Sequence, residues 1–151
     1  MAEHLLERSQ LVPTPLEQTF EFFADPRNLE AITPPWLGFR IVEAPERLRQ
    51  GSLLRYRLRL FRVPVRWTTE ITDWDPPHGF ADTQLRGPYS LWVHEHRLER
   101  TATGTRVTDR VRYRVPLGPA GRAANRLLVR GWLDEIFDFR ARRLAELLTG
   151  T

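Results

Sequence analysis

The sequence predicts an α+β fold in which one curved antiparallel sheet of about seven strands wraps a single long C-terminal helix. Three observations carry this reading. Apolar residues recur with period two from Leu37 to Pro116, and helical spacing takes over from Pro119 to about Leu148. Before the meander, two proline-opened segments between Thr14 and Ile32 read as two short helices following a first strand. The chain has 151 residues, 41% hydrophobic and 28% charged. That is the size and balance of one domain, residues 1–151, able to bury roughly 70% of its unfolded surface, which excludes disorder and fibrous repeats.

Each element has a local cause. Thr14-Pro15-Leu16-Glu17 places a capping residue, then proline at the first helical position, then glutamate three after the cap. Leu16, Phe20 and Phe23 follow on one helical stripe. Asp25-Pro26-Arg27-Asn28 repeats the device, and Thr33-Pro34-Pro35 stops the second helix near Ile32. Turn signals at Glu43-Ala44-Pro45, Arg62-Val63-Pro64, Asp75-Pro76-Pro77-His78, Arg86-Gly87-Pro88 and Thr101-Ala102-Thr103-Gly104 then divide the alternating stretch into about six strands. The terminal segment carries Leu128, Val129, Trp132, Leu133, Ile136, Phe137, Arg140, Leu144 and Leu147 at helical spacing. Thirty such residues would make a helix about 45 Å long.

Composition narrows the chemistry. With no cysteine there is no disulfide framework and no thiolate nucleophile. All 23 basic residues are arginine, which removes Schiff-base chemistry and the phosphate-loop lysine. Ser9, Ser52 and Ser90 lack a nucleophile elbow, and Gly118-Pro119-Ala120-Gly121 reads as a helix-initiating turn rather than a phosphate loop. No apolar run approaches the ~18 residues that span a bilayer, and the first residues lack a secretion signal's basic head and apolar block. The expectation is a cytoplasmic protein with no stable membrane insertion.

Alternation assigns the strand faces. Leu54, Tyr56, Leu58 and Leu60 point inward, leaving Arg55, Arg57 and Arg59 to solvent; Val107, Asp109, Val111, Tyr113 and Val115 point inward, leaving Arg106, Arg110, Arg112 and Arg114 outside. This wet arginine face has almost no interleaved stacking aromatics, so nucleic acid is not an expected partner. Trp92, His94, His96 and Leu98 share the inner face, and pairing across the Thr101–Gly104 turn sets His96 opposite Asp109 and Trp92 opposite Tyr113. Around Asp75–His78, Phe80, Asp82 and Gln84 are expected inward, facing Trp67, Thr69 and Ile71. The concave wall is then Trp67, Asp82, Gln84, Trp92, His94, His96, Asp109 and Tyr113, with Trp132, Ile136 and Arg140 facing it from the helix. Unpaired buried polar groups cost ~1–3 kcal/mol each and unpaired charges more, so this wall implies mutual pairing, water or a bound molecule. The expected result is an internal cavity with aromatic sides and a hydrogen-bonding end.

At these residues the chain resembles the START-like superfamily, also called SRPBCC or helix-grip proteins, and within it the bacterial polyketide cyclase/dehydrase-like branch. The resemblance spans nearly the whole chain. It rests on Asn28-Leu29, Thr33-Pro34-Pro35-Trp36, Trp67, Phe80-Ala81-Asp82-Thr83-Gln84, Gly87-Pro88-Tyr89, Trp92-Val93-His94-Glu95-His96, Asp109-Arg110-Val111-Arg112-Tyr113 and Ile136-Phe137-Asp138-Phe139-Arg140. It implies a deep cavity for lipids, quinones, polyketides or other apolar molecules, and neither a shared catalytic set nor a cofactor.

Two function classes follow. One is binding or transport of a hydrophobic small molecule. The other is a cyclase/dehydrase-type enzyme using His96 and Asp109 as an acid–base pair, with Tyr113 a further candidate. A closed His96–Asp109 and Asp82–Arg140 network favours structure, and a histidine aimed at open cavity favours chemistry. His94, His96 and Asp109 have a spacing compatible with a metal, but a sheet histidine beside a carboxylate is more often a satisfied pair, and no metal is expected. The loop holding Trp36 is expected to rim the cavity mouth. His96→Ala and Asp109→Asn are expected to alter ligand affinity or turnover with the fold intact.

Overall fold

Alternating side chains and short turns give seven antiparallel strands in one sheet, seen in a computed structural model that describes residues 3–149. The strands are β1 (His4–Val12), β2 (Arg40–Glu43), β3 (Leu53–Leu60), β4 (Val63–Asp75), β5 (Gly79–Arg86), β6 (Leu91–Thr101) and β7 (Gly104–Arg114). Their order is β1-β7-β6-β5-β4-β3-β2, so every link but the β1–β7 pairing joins sequence neighbours. Two short helices, α1 (Leu16–Ala24) and α2 (Arg27–Ala31), follow β1, and a 3-10 turn spans Pro35–Leu37. Helix α1 begins one residue later than expected, with Pro15 at the cap position. Helix α2 likewise opens one residue later than expected, with Pro26 at the cap position, while the Asp25 carboxylate accepts the Arg27 backbone N–H at 3.0 Å.

The C-terminal helix runs from 118 to 147 as α3 (Gly118–Ala124), a π-helical turn (Asn125–Val129) and α4 (Arg130–Leu147). Its inward positions, Gly121, Asn125, Val129, Leu133 and Phe137, are spaced by four throughout. A 3.6-residue helix drifts by about 40° at each such step, and the extra residue of a π-turn absorbs much of that drift. The expected apolar stripe is corrected accordingly: Leu128 is 58% exposed, and Leu147 at the far end is exposed as well. Strand β1 pins the helix to the sheet. Arg8 donates to Asp138 Oδ1 at 2.6 Å and to Asp134 Oδ1 at 3.1 Å, and Gln10 Nε2 donates to the Ala141 carbonyl at 3.0 Å.

The register of β6 and β7 is the expected one, with His96 opposite Asp109 and Trp92 opposite Tyr113. On β4 and β5, Ile71 faces Asp82 and Thr69 faces Gln84. A shift between Ile71 and Asp73 reverses the alternation, so Phe80 pairs with Trp74 instead of with the Trp67–Ile71 face. The turn expected at Arg62-Val63-Pro64 falls at Phe61-Arg62, and Val63 already belongs to β4.

Two apolar clusters result. The lower one holds Leu16, Phe20, Phe23, Ile71, Phe80, Leu98, Val107 and Leu144; the upper one holds Leu58, Trp67, Trp92, Val111, Tyr113, Leu133 and Phe137. Between them β5, β6, β7 and α4 place Asp82, His94, His96, Asp109 and Arg140. No helix among the described residues is long and apolar enough to cross a membrane.

Candidate functional site

A cavity of about 170 Å³ lies between the sheet and the terminal helix. Of the residues expected on its wall, Trp67, Asp82, Trp92, His94, His96, Trp132, Ile136 and Arg140 line it. Gln84, Asp109 and Tyr113 are not among the lining residues. Each is engaged elsewhere. Gln84 Nε2 donates to the Tyr89 carbonyl at 2.7 Å and its Oε1 accepts the Tyr89 N–H at 3.2 Å, a two-point clamp on the β5–β6 turn. The buried Tyr113 hydroxyl donates to Asn125 Oδ1 at 2.7 Å, where the π-turn delivers that side chain. Asp109 sits behind His94 and Arg140.

The polar groups pair in a crossed pattern, which corrects the expected His96–Asp109 and Asp82–Arg140 partners. His94, directly across from Asp82, has its Nε2 2.8 Å from Asp109 Oδ1. His96, directly across from Asp109, has its Nε2 2.7 Å from Asp82 Oδ2. Arg140 Nε and Nη2 donate to Asp109 Oδ2 and Oδ1 at 3.3 and 3.1 Å, and Nη2 also reaches His96 Nδ1 at 3.3 Å. Stacking sets the ring planes behind this arrangement: Phe80 lies on His96 with centroids 4.1 Å apart, and His96 on His94 at 3.8 Å.

Donor inventory fixes the His96 tautomer. A guanidinium has no acceptor, so Nδ1 of His96 must accept from Arg140 and Nε2–H must donate to Asp82. Burial, then the neighbouring His94, and finally Arg140 outweigh the opposing pull of Asp82 and push the His96 pKa down to about 4. Burial works to raise the Asp109 pKa, but Arg140 and the His94 hydrogen bond overcome it and hold the carboxyl well below the usual range. Asp82 is likewise lowered: against the effect of burial stand the His96 hydrogen bond and the charges of His94, His96 and Arg140. His94 differs from His96 in one respect. Its Nδ1 is 4.0 Å from Asp82 Oδ2, beyond hydrogen-bond reach.

Asp82, His94 and His96 offer ligand atoms within 4.8 Å of one another, a different trio from the His94, His96 and Asp109 set that the sequence spacing suggests. Their hydrogen bonds do not suit a metal. If Nε2 of His96 bound an ion, Nδ1 would carry the proton and confront the Arg140 donor.

Sequence reasoning placed Tyr56, Leu58 and Phe80 on the inner face without naming them as site residues, although all three line the cavity. It gave Asn28, Leu29 and Ile32 no site role, yet they close the cavity on the side of α2. The expected rim holds in part: Thr33 and Leu37 border the cavity, while Trp36 is exposed and packs edge-on against Phe139 with centroids 5.7 Å apart.

The sequence profile of the family described as polyketide cyclase / dehydrase and lipid transport matches residues 3–149. The chain belongs to this polyketide cyclase/dehydrase and lipid-transport family. No curated protein sequence matches the chain. Solved structures show the family's SRPBCC-type architecture recurring in bacteria and plants. A protein of Chromobacterium violaceum is similar with a TM-score of 0.74 at 13% identity, over 97% of this chain and 99% of that one. A Mycobacterium smegmatis protein gives 0.69 at 21% identity, over 95% and 90%. The ginseng major latex-like protein from Panax ginseng gives 0.68 at 15% identity, over 97% of each. At such identities the likeness is one of fold, and the family's helix-grip architecture is the one seen here.

Proposed function

We propose that this protein binds and carries a hydrophobic small molecule, of the lipid, quinone or polyketide kind, in the cavity between sheet and terminal helix. One observation carries the reading: the central polar groups pair with one another and still leave an apolar-walled hollow of about 170 Å³. An apolar molecule seated there removes its own surface and that of the walls from water, a gain of ~25 cal/mol per Å² buried. The family's description, which names lipid transport, supports the same reading.

Native mass spectrometry of freshly purified protein tests it. The expected spectrum contains a bound apolar species that organic extraction removes, with a lower Tm afterwards. Re-adding it at about 100 times Kd should restore ~2.7 kcal/mol. Protein that emerges empty, and whose Tm no naphthoquinone, polycyclic ketone or acyl chain raises, would overturn the proposal.

One feature favours a second reading, dehydration of an apolar substrate. His94 is tied through Nε2 to Asp109 and keeps Nδ1 outside hydrogen-bond reach of Asp82, whereas both nitrogens of His96 are engaged. His94 therefore fits an acid–base role better than His96 does. Incubation with a polycyclic β-hydroxyketone should then show loss of one water by mass spectrometry, abolished in His94→Gln; an unchanged mass would leave binding as the function.

A further inference from the structure

Exposed apolar side chains gather where the β3–β4 turn meets the terminal helix. Phe61 and Val63 at that turn are each 60% exposed, and Leu127 and Leu128 on the π-helical turn are 77% and 58% exposed. Trp132 joins the two groups: its ring contacts that of Phe61 with centroids 5.6 Å apart, and Leu128 precedes it by one turn of helix. Trp132 and Leu60 line the cavity, so this patch borders the cavity's rim. The hairpin backbone does not call for the ring it carries. Phe61 and Arg62 have φ of 50° and 70°, a left-handed pair that Asn-Gly adopts with little strain and a bulky residue rarely does. Such an outlier, held in solvent, points to a use outside the fold.

The charges around the patch are of one sign. No acidic residue occurs between Glu46 and Glu70 or between Asp109 and Asp134, the two segments that build it. Arg122, Arg126 and Arg130 recur every four residues along the helix and Arg62 sits in the hairpin turn; all four are exposed, and none has an ion-pair partner among the described residues. On the outer sheet face, by contrast, Arg55, Arg97, Arg110 and Arg112 each face a carboxylate. Along the helix the next acidic groups are Asp134, taken by Arg8, and Glu135, about 12 Å beyond Leu127.

We infer that this end of the molecule docks on the surface of an anionic lipid bilayer, its apolar side chains inserted at headgroup level and its arginines on the lipid phosphates. Leucine and aromatic side chains beside a row of arginines make an interfacial surface. The charge pattern selects the occupant. In an isologous dimer the patch would meet itself and set arginine against arginine. A polyanion alone would answer the arginines and leave the leucines and the phenyl ring in water. A bilayer with acidic headgroups answers both, and the surface does not depend on what the cavity holds.

Flotation of the full chain with vesicles tests this. Binding to equimolar phosphatidylcholine and phosphatidylglycerol is expected to be at least about tenfold tighter than to phosphatidylcholine alone. Leu127→Ser combined with Leu128→Ser should weaken binding to the acidic vesicles about tenfold or more. Arg126→Gln and Arg130→Gln should cost about fivefold each. Arg57→Gln combined with Arg106→Gln, on the outer sheet face, is the control and should change affinity less than about twofold. All six positions are exposed, so each variant should keep the parent Tm. Equal binding to both vesicles, binding to neither, or an equal loss in the outer-face control would overturn the proposal. Leucine variants that bind acidic vesicles as the parent does would leave a plain polyanion surface and overturn it too. Polyglutamate bound as tightly as the vesicles, with affinity lost in the leucine variants, would make the partner an acidic protein instead. None of these outcomes bears on cargo binding, which native mass spectrometry reads separately.

Discussion

Asp109 holds three donor atoms, one from His94 and two from Arg140, where its side chain is only 8% exposed. Taking away its charge strands a buried guanidinium, and breaking such a pair typically costs about 3–5 kcal/mol. Asp109→Asn is therefore expected to lower stability by roughly that amount, measurable by urea unfolding, in contrast to the intact fold that sequence reasoning expects for this variant. The inner-face positions of both histidines and both carboxylates were legible from alternation and turn length, because a strand's period of two leaves little freedom. The partner choice was not. Register fixes Cα neighbours, but the ring planes are set by Phe80 of β5 stacking on His96 and His96 on His94, contacts that form only once β5 and β6 have paired.

At the level of single elements, Gly79 opens β5 directly against the backbone of β6. A Cβ there would stand 2.2 Å from the His96 backbone carbonyl oxygen. Gly79→Ala must push the strands apart beside the histidine pair, and is expected to cost about 2 kcal/mol or more and to shift the His96 ring resonances. Gly131 in α4 provides the contrast: nothing lies within 4 Å of its would-be Cβ, so Gly131→Ala is expected to stabilise by about 0.5–1 kcal/mol. Thermal denaturation of the two variants should give opposite signs. The terminal helix was evident from its spacing, but the π-turn was not, because a repeat of four reads as an ordinary helix when taken a few residues at a time.

Across the whole molecule, the ionised groups lie between two apolar clusters, so acid acts on the centre. His96 has a folded pKa of about 4 against an ordinary 6.5. Between those values the unfolded chain takes up a proton that the folded chain refuses, so stability falls as pH drops from about 6.5 to 4, by on the order of 3 kcal/mol. Asp82 and Asp109, both lowered, stabilise fully above the ordinary carboxylate range and lose that contribution only at more acidic pH. Urea midpoints at pH 7 and 4.5 should differ clearly for the parent protein and less for His96→Gln; equal differences would exclude His96 as the responsive group.

The division into two clusters also bears on how the interior can change. Leu58 and Leu133 belong to one packed set, Leu16 and Leu144 to the other, with the ionised band between. Side chains that share a partner couple their effects. Tyr56 packs against both sets, and the cavity is lined from both, by Ile71 and Phe80 below as by Leu58 and Trp67 above, so resizing either set alters which occupants fit, and a change of selectivity draws on the same packing that holds the fold.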